Sequence, residues 1–319
     1  MAGAKLLETD NTVRSTRPLV IGLMTVLAMT LLGCTSTTSA ARPGVIPAVA
    51  AENHYADVIS QIGGKYVSVT AIMSNPNTDP HTFEASPSVA QALSQAELVV
   101  QNGLGYDDFM QTLEKASPRS HRTVIVAQKV LGLPDSTPNP HLWYKPATMP
   151  AVAQAIAKAL TRIQPDHAQY FHQRLDTFTD SLSVWTQKLS AFAHQHSGVS
   201  AAVTEPVANY MLEAAGVTIK TPWSLQAAVM NDTDPSPQDS ATQDALLVNK
   251  SVSVFVYNQQ VTDSTTEHYL ALARAHGVPV VGVYETMPTG LTYQKWMLDQ
   301  LNALTKAVTQ GVSTERLTS

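Results

Sequence analysis

The sequence predicts an α/β protein of two lobes, each with a parallel β-sheet flanked by helices, joined by one long rigid helix. Three observations carry this expectation. Short, continuous, valine-rich runs alternate with helical patterns along the chain, as expected of parallel strands covered on both faces. About 285 residues follow Cys34, the only cysteine, a length that favours two lobes over one. Between the halves, Pro165 to His196 runs without an internal proline or glycine.

From the N-terminus, Arg14 and Arg17 precede an apolar stretch, Leu19 to Leu32. It is short for a membrane span and the right length for a signal-peptide core. It ends in Leu31-Leu32-Gly33-Cys34, which resembles a bacterial lipobox, so residues 1–34 are expected to be a lipoprotein signal with Cys34 lipidated at the mature N-terminus. Residues 35–46, rich in Ser, Thr, Ala and Pro, read as a flexible stalk. The protein is thus expected to be exported and anchored at the outer face of the cell membrane, or periplasmic.

The first lobe, 47–164, has strand candidates at Val45–Ala51, Val67–Ile72, Leu98–Gln101 and Thr123–Ala127 and helices at Tyr55–Ile62, Ser88–Ala96 and Tyr106–Ala116. The linking helix occupies 165–197. Tyr170, Phe171, Leu175, Phe178, Leu182, Trp185, Leu189 and Phe192 recur at helical spacing, and about 30 residues at 1.5 Å each span roughly 45 Å. Pro165 suits its first turn and Gly198 its stop. The second lobe, 198–311, offers strands at Ser200–Thr204, Val217–Lys220, Val252–Tyr257 and Val278–Tyr284, with helices at Ala208–Ala214, Pro237–Asn249 and Thr265–His276. Residues 312–319 read as a tail.

With no cysteine beyond Cys34, any metal site in the mature protein must be built from nitrogen and oxygen. The net charge is −5 with no lysine-arginine run, which argues against nucleic acid as a partner. Two histidines follow prolines on stiff loops beside strand ends: His81 in Asp79-Pro80-His81 and His141 in Asn139-Pro140-His141. In α/β sheets ligands settle beyond the carboxyl ends of the strands, which for two lobes means the cleft between them. Two carboxylates of the second lobe meet that criterion, Glu205 and Glu285. The expected metal set is therefore His81, His141, Glu205 and Glu285. His54, after the first strand, Asn258, after the strand ending at Tyr257, and Asp232 are expected to support the ligands rather than bind. The other seven histidines have no companion at ligand spacing and read as structural or surface residues.

Asp79-Pro80-His81, Asn139-Pro140-His141-Leu142-Trp143, Thr204-Glu205-Pro206 and the long intervening helix, with Glu52-Asn53-His54-Tyr55-Ala56-Asp57 and Trp296, resemble the zinc/manganese-type solute-binding lipoproteins of bacterial ABC transporters. This is the cluster A-I metal-receptor family, sometimes called lipoprotein adhesins. The resemblance covers essentially the whole chain after the stalk. It implies a four-ligand site between the lobes, carried over here as His81, His141, Glu205 and Glu285. The family's third position is histidine in many zinc binders and glutamate in manganese binders, and its fourth is usually aspartate, from which Glu285 departs. The long histidine- and acid-rich loop of many zinc importers is missing; only Leu131 to Asn139 precedes His141.

Two imidazoles and two carboxylates make a harder site than three imidazoles, which leans the expected cargo towards Mn²⁺, although intrinsic affinity places zinc above manganese at nearly any such site. Mn²⁺ or Zn²⁺ is expected, and the donor set admits Fe²⁺. The function that follows is capture of a divalent metal outside the membrane and its delivery to an ABC permease by a monomeric protein that is not an enzyme. A metal-dependent hydrolase would need an open coordination position and a general base, and no His-Glu-x-x-His helix, nucleophile elbow or phosphate loop is present. A surface adhesin with a structural metal is the remaining alternative.

Overall fold

The structure, a computed structural model, describes residues 44–76 and 86–317. The proposed signal segment, Cys34, most of the stalk, and His81 lie outside the described residues. The first half contains β1 (Ile46–Glu52), α1 (Asn53–Gly63), β2 (Val67–Met73), α2 (Pro87–Gln95), β3 (Leu98–Gln101), α3 (Phe109–Ala116), β4 (Thr123–Val126), α4 (Ala127–Val130) and α5 (Thr148–Ile163). After α6 (Ala168–Gln195) come β5 (Ser200–Val203), α7 (Asn209–Ala214), β6 (Thr218–Ile219), α8 (Trp223–Met230), α9 (Pro237–Val248), β7 (Val254–Asn258), α10 (Ser264–His276), β8 (Val280–Val283) and α11 (Tyr293–Gln310).

Two four-stranded parallel sheets result, ordered β2-β1-β3-β4 and β6-β5-β7-β8. The two lobes repeat one topology. In each, the chain reverses its winding direction beside the central first strand, so the loops leaving the neighbouring strands diverge and open a crevice at their carboxyl ends. β3, β5, β7 and β8 are buried along their whole length, which explains why they read as unbroken apolar runs rather than as alternating ones.

The long helix begins with a single tighter turn at Pro165–His167 and continues as α6 for 28 residues, or about 42 Å at 1.5 Å per residue. Its buried stripe is Phe171, Phe178, Leu182, Trp185, Leu189 and Phe192; Tyr170 and Leu175 are half-buried against the same core. That stripe packs on α1 and α5 of the first lobe and on α11 of the second, so one helix shares its apolar face with both lobes. Several hydrogen bonds cross between the lobes beside it. Tyr293 Oη donates to the Trp143 carbonyl at 2.6 Å, Tyr144 Oη to the Tyr284 carbonyl at 3.0 Å, and the Tyr293 amide to Asp57 Oδ2 at 2.8 Å.

The C-terminal segment does not behave as a loose tail. Thr314 pairs in parallel with Val281 on the open edge of β8: its amide donates to the Val280 carbonyl at 2.8 Å, and its carbonyl accepts from the Gly282 amide at 2.9 Å. Glu315 forms an ion pair with Arg274, and the Leu317 amide donates to Tyr284 Oη. Gly282 is required by this approach, because a Cβ there would lie 1.8 Å from the Glu315 carbonyl oxygen. Gly282→Ala is therefore expected to detach residues 313–317 from β8. Hydrogen exchange at the Thr314 amide should rise to the rate of an unprotected amide; retained protection would contradict the pairing.

Candidate metal centre

Three of the expected ligands meet. Glu205 lies two residues past β5, Glu285 two residues past β8, and the adjacent strand β7 ends in Asn258. Strand order thus sets the two carboxylates on either side of one amide. From the other lobe comes His141, on the loop between α4 and α5. Its side chain, like those of Glu205 and Glu285, is buried, and one ligand atom of each residue lies within 4.8 Å of the others. His141 Nε2 is 3.4 Å from Glu285 Oε2.

Each of these side chains is held. Asn139 Oδ1 accepts the His141 amide at 3.0 Å and lies 2.7 Å from His141 Nδ1. The first bond is an Asx turn closed two residues on. The second makes Nδ1 the protonated nitrogen, leaving Nε2 with its lone pair towards the carboxylates. Asn139 Nδ2 donates to the Pro206 carbonyl at 2.9 Å, and Tyr210 Oη to the Asn139 carbonyl at 2.9 Å. The same asparagine therefore ties the His141 loop to the Glu205 loop across the lobe boundary. Asn258 Nδ2 donates at 2.7 Å to Glu205 Oε1 and at 2.7 Å to Glu285 Oε1.

Two residues that the sequence did not single out complete the support. Tyr106 Oη donates to Glu285 Oε2 at 2.9 Å, and burial, then the neighbouring Glu285 charge, push its phenol well above the usual range, so it stays a donor. It is presented by Gly103-Leu104-Gly105, three consecutive residues at positive φ, and Leu104 there is the uncommon non-glycine case. Gln260 Oε1 accepts the amides of Glu285 and Thr286 at 2.7 and 2.8 Å, fixing the backbone that carries the ligand. No local signal marked either residue. An Asn-x-Gln spacing at a strand end would have been the only hint for Gln260.

His54 occupies the first turn of α1, fully buried, with its ring 4.6 Å from Trp143 and 4.5 Å from Tyr55. Burial lowers its pKa well below the ordinary value, so it serves as a neutral aromatic plate behind Trp143, which itself packs edge-on against His141 at 5.3 Å. It supports the centre by packing and makes no hydrogen bond to the carboxylates. Asp232 is corrected outright: it is exposed in the turn after α8, in a left-handed conformation, and its amide bonds to the Val229 carbonyl. A solvated carboxylate on an exposed turn is not placed to orient buried ligands.

Beneath Tyr106, Glu52 and Asp107 form a second pair of buried acids. Desolvation, then the charge of Asp107, push Glu52 well above the usual carboxylate range. Burial likewise lifts Asp107 from 3.8 to about 6, against the lowering effect of the Gly103 and Asn102 amides that bond to it. A folded-state value above the unfolded one means that the native protein holds the proton more tightly, so the stability contributed by Asp107 is lost as pH rises from about 4 to about 6. At 1.36 kcal/mol per pH unit the loss from Asp107 alone is about 3 kcal/mol. Asp107→Asn should flatten that slope in urea denaturation at pH 4, 5, 6 and 7; an unchanged slope would show that the group titrates normally.

A two-lobed α/β chain with a buried nitrogen–oxygen cluster at its lobe junction is built as an ion receptor. Residues 48–307 match the family ZnuA, described as zinc-uptake complex component A, periplasmic, and the chain belongs to that family. The manganese-binding lipoprotein MntA of Bacillus subtilis (strain 168) is 23% identical over 296 residues, covering 87% of this chain and 95% of MntA. The manganese ABC transporter substrate-binding lipoprotein PsaA of Streptococcus pneumoniae is 24% identical over 225 residues, covering 66% and 72%. Among solved structures, the periplasmic zinc-binding protein TroA of Treponema pallidum superposes with a TM-score of 0.70 at 18% identity, covering 84% of this chain and all of TroA.

Proposed function

We propose that this protein captures Mn²⁺ or Zn²⁺ outside the cytoplasm and passes it to an ABC permease, holding the ion with His81, His141, Glu205 and Glu285. The observation that carries the reading is the buried His141–Glu205–Glu285 cluster, whose donor atoms are drawn from both lobes to within 4.8 Å and oriented by Asn139 and Asn258. Imidazole nitrogen and carboxylate oxygen suit both ions, and relatives named for manganese and for zinc support the same pair. His81 enters through its Asp-Pro-His motif. Anchoring through a lipidated Cys34, with residues 1–34 removed or modified as a lipoprotein signal, 35–46 as stalk and a monomeric mature chain, completes the proposal. Among the described residues no helix is long and apolar enough to cross a membrane.

The role is read as binding rather than turnover: Asn139, Asn258 and Tyr106 each hold a ligand side chain in place, and the relatives are named as binding proteins. Chelation needs deprotonated ligands, so affinity weakens as the imidazoles protonate at acidic pH. Metal content after expression in defined medium, followed by Mn²⁺/Zn²⁺ competition, tests the reading; a protein that takes up neither ion overturns it. Purified protein should show no hydrolysis of esters, peptides or phosphates. Metal-dependent hydrolysis lost in His141→Ala would favour the hydrolase instead.

A further inference from the structure

Resting on the reading of Glu285 as a ligand, we propose that Asn53 of the first lobe is a positioning residue for that carboxylate: it seats the second-lobe loop that bears Glu285 and so sets metal affinity from across the lobe junction.

Asn53 is the first residue of α1. Its side-chain amide pairs with both backbone groups of Met287, two residues beyond Glu285: Oδ1 accepts the Met287 amide at 2.9 Å, and Nδ2 donates to the Met287 carbonyl at 2.7 Å. An N–H can meet only an acceptor and a carbonyl only a donor, so this pairing decides which way the asparagine amide is turned. It is the two-bond exchange that opposed residues make in an antiparallel ladder, made here by a side chain of the other lobe. Asp57 and Gln61 follow at successive turns on the same face of α1. Asp57 Oδ2 accepts the Tyr293 amide at 2.8 Å, in the first turn of α11, where the helix dipole favours a carboxylate. Gln61 and Gln294 exchange side-chain bonds of 2.9 and 2.8 Å. Three turns of one first-lobe helix therefore hold the loop between β8 and α11 near its start, at its end and one residue further on.

What this does to Glu285 follows from the backbone. The consecutive amides of Glu285, Thr286 and Met287 each donate to a side chain: the first two to Gln260 of the second lobe, the third to Asn53 of the first. The main chain of the ligand is thus located from both lobes, while Asn258 and Tyr106 locate its carboxylate. Glu205 is treated alike, since Asn139 of the first lobe holds the Pro206 carbonyl one residue beyond it. Each second-lobe carboxylate is followed within two residues by a backbone group that a first-lobe asparagine grips. His141 arrives from the first lobe, so the spacing of imidazole and carboxylates depends on the register of the two lobes. A ligand set must be held to within about 0.5 Å to work. Releasing Met287 moves the next bond from α1 to the Tyr293 amide, eight residues beyond Glu285.

The test is calorimetric titration with Zn²⁺ of the wild type, Asn53→Ala, Glu285→Ala and the double variant. Asn53→Ala is expected to weaken zinc binding about tenfold, the lower end of what groups that orient ligands contribute. Urea denaturation checks that it folds; Asn53→Ser, too short to reach both Met287 groups, replaces it otherwise. In the Glu285→Ala background the same change should cost less than about twofold, because residues that act through one another are not additive. X-ray absorption of the zinc bound by Asn53→Ala should show one oxygen of the nearest shell lost or moved outward, and this spectrum decides where Glu285→Ala binds too weakly to titrate. Unchanged affinity, equal losses in both backgrounds, or a spectrum identical to wild type overturns the role of Asn53 and leaves the ligands as assigned. Zinc binding by Glu285→Ala that matches the wild type removes Glu285 from the ligands, and this proposal falls with it.

Discussion

Replacing His141 with alanine is expected to weaken Mn²⁺ and Zn²⁺ binding by about 10²-fold or more while leaving the apo fold in place. Changes that merely misorient a ligand cost 10- to 100-fold, and this one deletes the ligand. The imidazole is buried, its protonated Nδ1 is committed to Asn139, and among the described residues it is the one imidazole in the cluster. Without it the two carboxylates still accept from Asn258 Nδ2 and Tyr106 Oη, which are hydrogen-bond donors and cannot replace an imidazole nitrogen as ligand. Calorimetric titration of the apo protein, with circular dichroism as the control for folding, reads the effect. Asn139→Ala should lose 10- to 100-fold by leaving the ligand in place but its tautomer and aim unfixed. A titration indistinguishable from wild type for His141→Ala would remove this residue from the site.

The second large effect is on stability. Trp296→Ala should cost about 3–5 kcal/mol, as expected for truncating a fully buried large aromatic side chain. Trp296 projects from α11 of the second lobe into a cluster with His54 of α1, Tyr144 and Tyr293, at ring distances of 6.1, 5.5 and 6.4 Å. The tryptophan is completely buried. Its removal opens a cavity at the lobe junction rather than within one lobe, where rigid elements on both sides oppose collapse. Against a typical total of 5–15 kcal/mol this is a large share, and the midpoint of urea denaturation should fall accordingly. A loss below about 1 kcal/mol would mean that the junction repacks freely, contrary to the rigidity described here.

What was legible in the chain follows from how far apart the interacting residues lie. The central strands could be read because buried parallel strands are continuous apolar runs, and each of the eight observed strands, the partly exposed β2, β4 and β6 included, overlaps the predicted one. α10 showed its ends in the Asp263–Thr266 capping box and Gly277. α4, α5, α8 and α11 are absent from the sequence expectation, although Trp296, Met297, Leu301, Leu304 and Ala307 of α11 keep helical spacing and Thr292 caps it. Tyr106–Ala116 was predicted as one helix, but the first three residues form the turn that aims Tyr106, and α3 begins at Phe109. Within the centre, strand ends pointed to Glu205, Glu285 and Asn258. Tyr106 could not be found in the same way, because its partner is 179 residues away and only the meeting of the lobes defines it.

The pairing of Thr314 with the edge of β8 bears on how this protein should be handled in the laboratory. This bridge is an outer rail along β8, which ends two residues before Glu285. A purification handle, fluorophore or surface linker attached at the C-terminus would pull on that rail and, through β8, on the carboxylate expected to read the metal. Sensors built on this chain are better labelled on the exposed side of α6, for example at Val184, which is 49% exposed, where a load falls on the rod and not on a ligand.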